Sequence, residues 1–376
     1  EAANNVKVDM VAVDYDTMQQ KVFTALAGGK APDIAFIDGS WMGGYRKDGS
    51  LVQVPAADAK SWLGAVSPEI VALSDQGNGQ MYGYPSWGID AYAITWNKDI
   101  FREVGLNPDQ APKYLADFVA DSKKTSILNA DGTFKRVGYA IRHLGQPHGI
   151  VDKWEWLIHD GDGQLNTDMT ALTGGKTVLD TPNMVKVFQG AHDMVWGPNK
   201  STSLNFPDPR DAFLKGIAAF QISEVISIQV RQPKEAPNLK WGFAPPPARE
   251  AGSTPSAHTA AWFLSVFSQS AHKDLAMKAI TWFDNVDNDY KFSKMYNSTP
   301  RYNANWNKEP FASDPYDVQF KTLLPYGRPY PLSLAFNGIA DATGAAIQKI
   351  LHNEMAVQPA LQEAQVKANQ AIADLK

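Results

Sequence analysis

Phe23-Thr24-Ala25-Leu26-Ala27-Gly28-Gly29-Lys30-Ala31-Pro32-Asp33-Ile34-Ala35-Phe36-Ile37 is the stretch that decides the fold class. Met18, Val22 and Leu26 fall on one helical face, Asp16 is its expected N-cap, and the Gly28-Gly29 pair stops the helix. Pro32 turns the chain into Ile34 to Ile37, an unbroken apolar strand of the kind that fits a parallel sheet covered on both faces. Upstream, Val6-Lys7-Val8-Asp9-Met10-Val11 alternates with period two and predicts a further strand. Strand, helix, strand is the signature of an α/β layer. The carboxyl end of the second strand delivers Asp38-Gly39-Ser40-Trp41, and in open α/β sheets ligands sit at that end.

Working outward, Ile89-Asp90-Ala91-Tyr92-Ala93-Ile94-Thr95-Trp96 predicts a strand ending at Asn97, followed by a short helix stopped at Gly105. Thr181 with Pro182 opens a helix carrying Val185, Phe188 and Val195 on one face. Ile217 to Ile222 and Ala260 to Phe267 are apolar strands, and Ala244-Pro245-Pro246-Pro247 through Gly252-Ser253 is the most loop-like segment. Helices are expected from Asp274 to Phe283, through Phe336, Ile339, Ile347 and Leu351, and from Pro359 onward. At 376 residues the chain exceeds a single hydrophobic core, so two lobes are expected. The first would take residues 1–97 plus 260–308, and the second 98–259 plus 309–376.

Composition removes several function classes. A net charge of −5 with scattered basic residues carries no footprint for a polyanion, so no nucleic-acid partner is expected. The absence of cysteine removes disulfides, thiolate nucleophiles and thiolate metal ligands. The His residues lack metal-ligand spacing, so neither metal nor cofactor is expected. No apolar run is long enough to span a bilayer. No signal-peptide pattern stands at Glu1, so an export signal is either removed or absent. Eleven tryptophans are the unusual feature, and several of them, including Trp41, Trp87, Trp154 and Trp262, stand in or beside expected loops and strand ends.

Six segments together resemble the family 1 extracellular solute-binding proteins of ABC importers, nearest the maltose-binding and other sugar-binding branches. They are Ala25 to Gly29 before Pro32-Asp33-Ile34; Tyr45 to Leu51; Gln80-Met81-Tyr82-Gly83-Tyr84-Pro85; Trp96-Asn97-Lys98-Asp99-Ile100-Phe101 with Val104-Gly105-Leu106; Phe213 to Phe220; and Ser270 to Lys273 with Ala276 and Trp282-Phe283. They fall in the family's order up to about residue 283, and the Trp96 segment is the most specific. The resemblance implies a two-lobe, type II periplasmic-binding-protein-like α/β fold with a hinge and an interlobe ligand cleft. It also implies a monomeric receptor in the periplasm or on the extracytoplasmic surface that hands a carbohydrate to the permease subunits of an ABC transporter. The family normally begins with a strand and a long helix ahead of the strand at Val6; Glu1-Ala2-Ala3-Asn4-Asn5 resembles the tail of that helix, so the first strand and helix of the family are apparently missing from this sequence.

Carbohydrate recognition needs flat apolar faces against C–H groups and planar polar groups for hydroxyls. Asp38, Ser40 and Trp41 meet that need in the first loop, with Asp38 either entering the site or capping the next helix. Trp87 and Asp90 stand just before the crossover strand, Asp90 facing either the cleft or the exposed strand end. In the expected second lobe, Arg142 and His143 follow a strand, and of Trp154 and Trp156 one is expected at the cleft and one in the core. Arg142 is a bidentate donor for a diol or an acid group, or a member of a surface ion pair. The resemblance adds Glu224, beyond the strand Ile217 to Ile222, with His258 and Trp262 at the return crossover and Arg301, Tyr326 and Arg328 in later loops. The three arginines leave room for an anionic group on the sugar.

The main alternative is a glycoside hydrolase, which also needs aromatic platforms and paired carboxylates. No carboxylate pair sits in a motif specific to catalysis, and there is no G-x-S-x-G elbow, H-E-x-x-H helix or complete phosphate loop. The chain is therefore expected not to be an enzyme. Within binding proteins, glycerol phosphate, a polyamine or a short peptide is the alternative solute.

Overall fold

In the computed structural model, residues 6–75, 79–86, 90–206 and 208–375 are described. Among the described residues, ten strands form two sheets: β1 (Ile34–Asp38), β2 (Tyr84–Pro85), β3 (Asp90–Asn97), β4 (Ile127–Leu128), β5 (Phe134–Ala140), β6 (Ala218–Glu224), β7 (Trp241–Ala244), β8 (Ala257–Ala260), β9 (Trp262–Val266) and β10 (Gly327–Arg328). One sheet has the order β1-β9-β2; the other runs β10-β8-β3-β6-β5-β4, with β7 also paired to β3. A single residue, Ala261, separates β8 in the large sheet from β9 in the small one, so the chain crosses between the two sheets there.

Local chemistry explains the element ends. The helix Tyr15–Ala27 ends at Gly28, and Gly29 takes φ 65°, a left-handed conformation that costs glycine no Cβ clash. Asn97 accepts hydrogen bonds from the backbone N–H groups of Asp99 and Ile100 and so starts the helix Lys98–Glu103. Thr181 caps the helix Pro182–Val195 as expected, with Pro182 in its first turn. The last two helices, Phe336–Leu351 and Val357–Ala373, pack their apolar faces together and onto the helix Pro147–Asp160.

Four expectations need correction. The N-cap of the first helix is Asp14, not Asp16, because the Asp14 side chain accepts the Asp16 N–H. Residues 6–13 form no strand: alternation makes a strand only where a neighbour completes the ladder, and Val8, Met10 and Val11 stay exposed. Strand β1 pairs antiparallel with β9, not in a parallel layer. An apolar run records burial on both faces but not the direction of its partner. Finally, Tyr316, Phe320 and Leu323, expected in the second lobe, pack in one cluster with Trp62, Ile70 and Val266 of the expected first lobe, a cluster that Val225 and Phe243 also join. Tyr316 is buried there against Trp241, Phe243 and Phe320.

Candidate functional site

The end of β1 builds one wall. Asp38 accepts from the backbone N–H of Ser40 at 2.9 Å and from the Tyr15 hydroxyl at 3.2 Å. It thus caps the short turn Gly39–Trp41, the capping role among the two sequence readings of Asp38. Trp41 is fully buried and stacks on Tyr15 with ring centroids 5.6 Å apart. Trp262, half-buried, meets Trp41 edge-on at 5.8 Å and stacks on Phe36 at 4.8 Å. The register explains this meeting, because Asp38 lies opposite Trp262 in the β1–β9 ladder.

The other wall is polar. With the period of two in a strand, Asp90 and Tyr92 share one face of β3. Tyr92 lies opposite Glu224 of β6, and Asp90 lies opposite Ala260 of β8, whose face it shares with His258. The helix Pro147–Asp160 lays Asp152, Lys153 and Glu155 against them. The Tyr92 hydroxyl meets Asp152 at 3.3 Å, and Lys153 Nζ lies 3.3 Å from that hydroxyl and 3.1 Å from Glu224. Arg210 also pairs with Glu224, and His258 Nδ1 pairs with Glu155. The His258 ring lies 4.1 Å from that of Tyr330.

Burial and charge set the ionisation of this cluster. Burial works against ionised Glu224, yet Lys153 and Arg210 hold its carboxyl well below the usual range. Glu155 is likewise desolvated, but His258 and His159 bring it down to about 2. Burial lifts Asp152 to about 7 against the pull of Lys153 and His258. Burial also raises Asp38, and it raises Asp90 well above normal with added repulsion from Glu224 and Asp38. His258 is raised: burial opposes its charge, but Glu155 and then Asp152 overcome it.

A cleft of about 370 Å³ opens beside these groups, lined by Ser40, Gly43, Thr259, Ala260, Phe263 and Tyr330. A second depression of about 350 Å³ is lined by Glu155, His159, Asn166 and Arg328, and Met169 borders both. Gly43 is required at the first, since a Cβ there would come within 2.7 Å of the Ser333 carbonyl oxygen. Among the described residues no group of three His, Asp or Glu side chains could hold a metal ion.

Asp38, Ser40, Trp41, Asp90, Glu224, His258 and Trp262 are therefore brought together. Arg142 borders the group, where its guanidinium pairs with Asp16 at 2.7 Å. Five residues are placed elsewhere. His143 faces His352, 3.0 Å away between ring nitrogens. Trp154 is core: its ring packs on Tyr139 and Phe188 and its indole N–H donates to the Arg142 carbonyl, while Trp156 is buried as well, so neither forms a cleft wall. Arg301 is buried in an ion-pair network with Asp284 at 3.0 Å and Asp289 at 2.9 Å, because a guanidinium in an apolar body needs carboxylates there. Tyr326 lies in a short turn outside both cavities. Arg328 is exposed and lines only the second depression. Trp87 lies outside the described residues.

Sequence reading missed Tyr15, Tyr92, Asp152, Lys153, Glu155 and Arg210. A signal existed for the helix residues. Asp152, Lys153 and Glu155 interrupt a helix that is otherwise apolar on nearly every face, and charges in a helix buried all round must find partners.

A family model described as bacterial extracellular solute-binding protein matches residues 1–287. The chain belongs to that family. It is a family of binding proteins, not of enzymes, so the glycosidase alternative is set aside. This solute-binding protein is 24% identical over 380 residues to a Brucella abortus (strain 2308) protein named only as a binding protein, across 98% of this chain and 87% of the relative. A shorter match, 28% identical over 123 residues, covers 33% of this chain and 28% of the diacetylchitobiose binding protein DasA of Streptomyces coelicolor. Its fold matches the maltose-bound MalE3 of T. maritima with TM-score 0.82 and 20% identity, covering 98% of this chain and 92% of that one. No helix among the described residues is long and apolar enough to cross a membrane.

Proposed function

We propose that this solute-binding protein is the receptor of an ABC importer and that its solute is a carbohydrate, held between the two sheets and passed to a membrane permease outside the cytoplasm. The observation that carries the reading is the pairing of an aromatic wall, Tyr15, Trp41 and Trp262, with a polar wall of Asp90, Tyr92, Asp152, Lys153, Glu224 and His258. Flat rings suit the C–H face of a pyranose, and buried carboxylates suit its hydroxyls. Structural relatives whose ligands are maltose and acarbose support it. Delivery requires contacts made with both walls in the closed form only, since equal affinity for open and closed states shifts nothing.

A thermal-shift screen of mono- and oligosaccharides tests this. Ligand at about 100 times its dissociation constant adds about 2.7 kcal/mol, a clear rise in melting temperature. Silence across all saccharides with a response to amino acids or peptides would sink the carbohydrate reading.

A further inference from the structure

The carboxyls of the polar wall are not equally provided for. Glu224 receives Lys153, Arg210 and Ser227; Glu155 receives His258; Asp152 receives Tyr92; Asp38 receives Tyr15 and Ser40. Asp90 is only 7% exposed, and its side chain has no hydrogen-bond or ion-pair partner among the described residues. It shares its strand face with Tyr92, and Ala260 opposite it lines the 370 Å³ cleft together with Ser40 and Thr259. A buried carboxyl without a partner is costly, so a ligand group that pairs with it would be favoured.

The cations around it are already paired. Lys153 and Arg210 both serve Glu224, His258 serves Glu155 and Arg142 serves Asp16, while Lys153 and His258 favour the charged form of Asp90 from beyond ion-pair distance. Among the described residues the site therefore leaves no unpaired base for an anionic solute. Resting on the carbohydrate reading, we infer that the solute is a sugar carrying a basic nitrogen, an amino sugar or imino sugar, whose ammonium group is received by Asp90 between Asp38 and Glu224. A hydroxyl would leave the three carboxyls facing one another. An ammonium relieves that repulsion and forms charge-assisted hydrogen bonds about twice as strong as neutral ones. Burial, then repulsion from Glu224 and Asp38, raises the Asp90 carboxyl well above the usual carboxylate range, and a bound ammonium acts in the opposite direction, favouring release of a proton.

Calorimetry on the whole protein at pH 6.5 tests this with matched pairs: glucose against glucosamine, and cellobiose against the glucosamine dimer and its N-acetylated form, with spermidine as the non-sugar amine. The free-amine sugars are expected to bind at least tenfold tighter than their hydroxyl or acetylated counterparts, with a proton released as judged from buffers of different ionisation enthalpy. Asp90→Asn should abolish that preference and leave the unliganded melting temperature unchanged or higher. Neutral sugars binding as well as the amines would overturn this inference and leave the carbohydrate reading standing. Spermidine binding with no response to any sugar would overturn both. An amine preference that survives Asp90→Asn, or a variant that melts several degrees lower without ligand, would remove Asp90 from the role.

Discussion

Arg142 Nη2 lies 2.7 Å from Asp16 Oδ1 and ties the helix on the three-stranded sheet to the loop after β5 of the seven-stranded sheet. Gln146 Nε2 adds a hydrogen bond to the Tyr15 carbonyl at 2.8 Å. These contacts join the two bodies, so any conformation in which the bodies meet is favoured by them.

Asp16→Ala should therefore weaken ligand binding without touching the ligand. Asp16 is half exposed, so the pair contributes about 1 kcal/mol or less, up to about fivefold in Kd. Calorimetry of the variant and scattering of the unliganded protein check this. An unchanged Kd together with an unchanged radius of gyration would show that the pair does not govern closure.

Unliganded stability should decline from pH 5 to pH 8. Asp152, raised to about 7, keeps a proton in the fold that the unfolded chain releases near pH 4, so stability falls as pH rises between those values. His258 is raised as well, and its stabilising charge is present below about 6.5 and lost as pH passes its folded value. Glu155, brought to about 2, acts in the opposite direction: its contribution is present above about 4.5 and lost on acidification through about 2. His258→Gln should lower stability at pH 5 by about 3 kcal/mol, by leaving Glu155 without its buried partner, and should flatten the alkaline decline. Melting curves from pH 4.5 to 8.5 report both effects.

Trp41 and Trp262 should separate stability from binding. Trp41 is wholly enclosed, and Trp41→Ala should cost about 3–5 kcal/mol of stability. Trp262 is only half-buried and lies opposite Asp38, so Trp262→Ala should melt closer to wild type while losing about tenfold or more in affinity. Ligand-induced change in tryptophan emission should fall most in the Trp262 variant. Equal loss of stability in both would make Trp262 a core residue only.

Arg301 should behave as a structural cation. Arg301→Lys keeps a charge but not the fork that serves Asp284 and Asp289 together. Melting should drop by an amount equivalent to about 3 kcal/mol with the Kd of the folded protein unchanged. A well-folded variant that had lost its ligand would place Arg301 at the site after all.

Much of the fold was legible because its signals are local. Gly28-Gly29, Asn97 and Thr181-Pro182 punctuate helices through backbone conformation and capping, which need no knowledge of distant residues. Half of the site was legible for a related reason: Asp38, Ser40, Trp41 and Asp90 stand at strand ends, where polar residues in an apolar context are conspicuous. Tyr92 was hidden because an aromatic residue inside an apolar strand reads as core. Asp152, Lys153 and Glu155 were overshadowed by Trp154 and Trp156 between and beside them, which the packing assigns to the core.

The amino-acid sequence by itself determined most of the elements, many of their ends and the family, since periodicity, capping and motif order are all carried by near neighbours along the chain. Tertiary structure decided the direction in which β1 pairs and which charges meet. Asp38, Asp90, Asp152, Glu224 and His258 come from four strands and a helix far apart in sequence, and their ionisation depends on shared burial and mutual distance, quantities that exist only once the chain has folded.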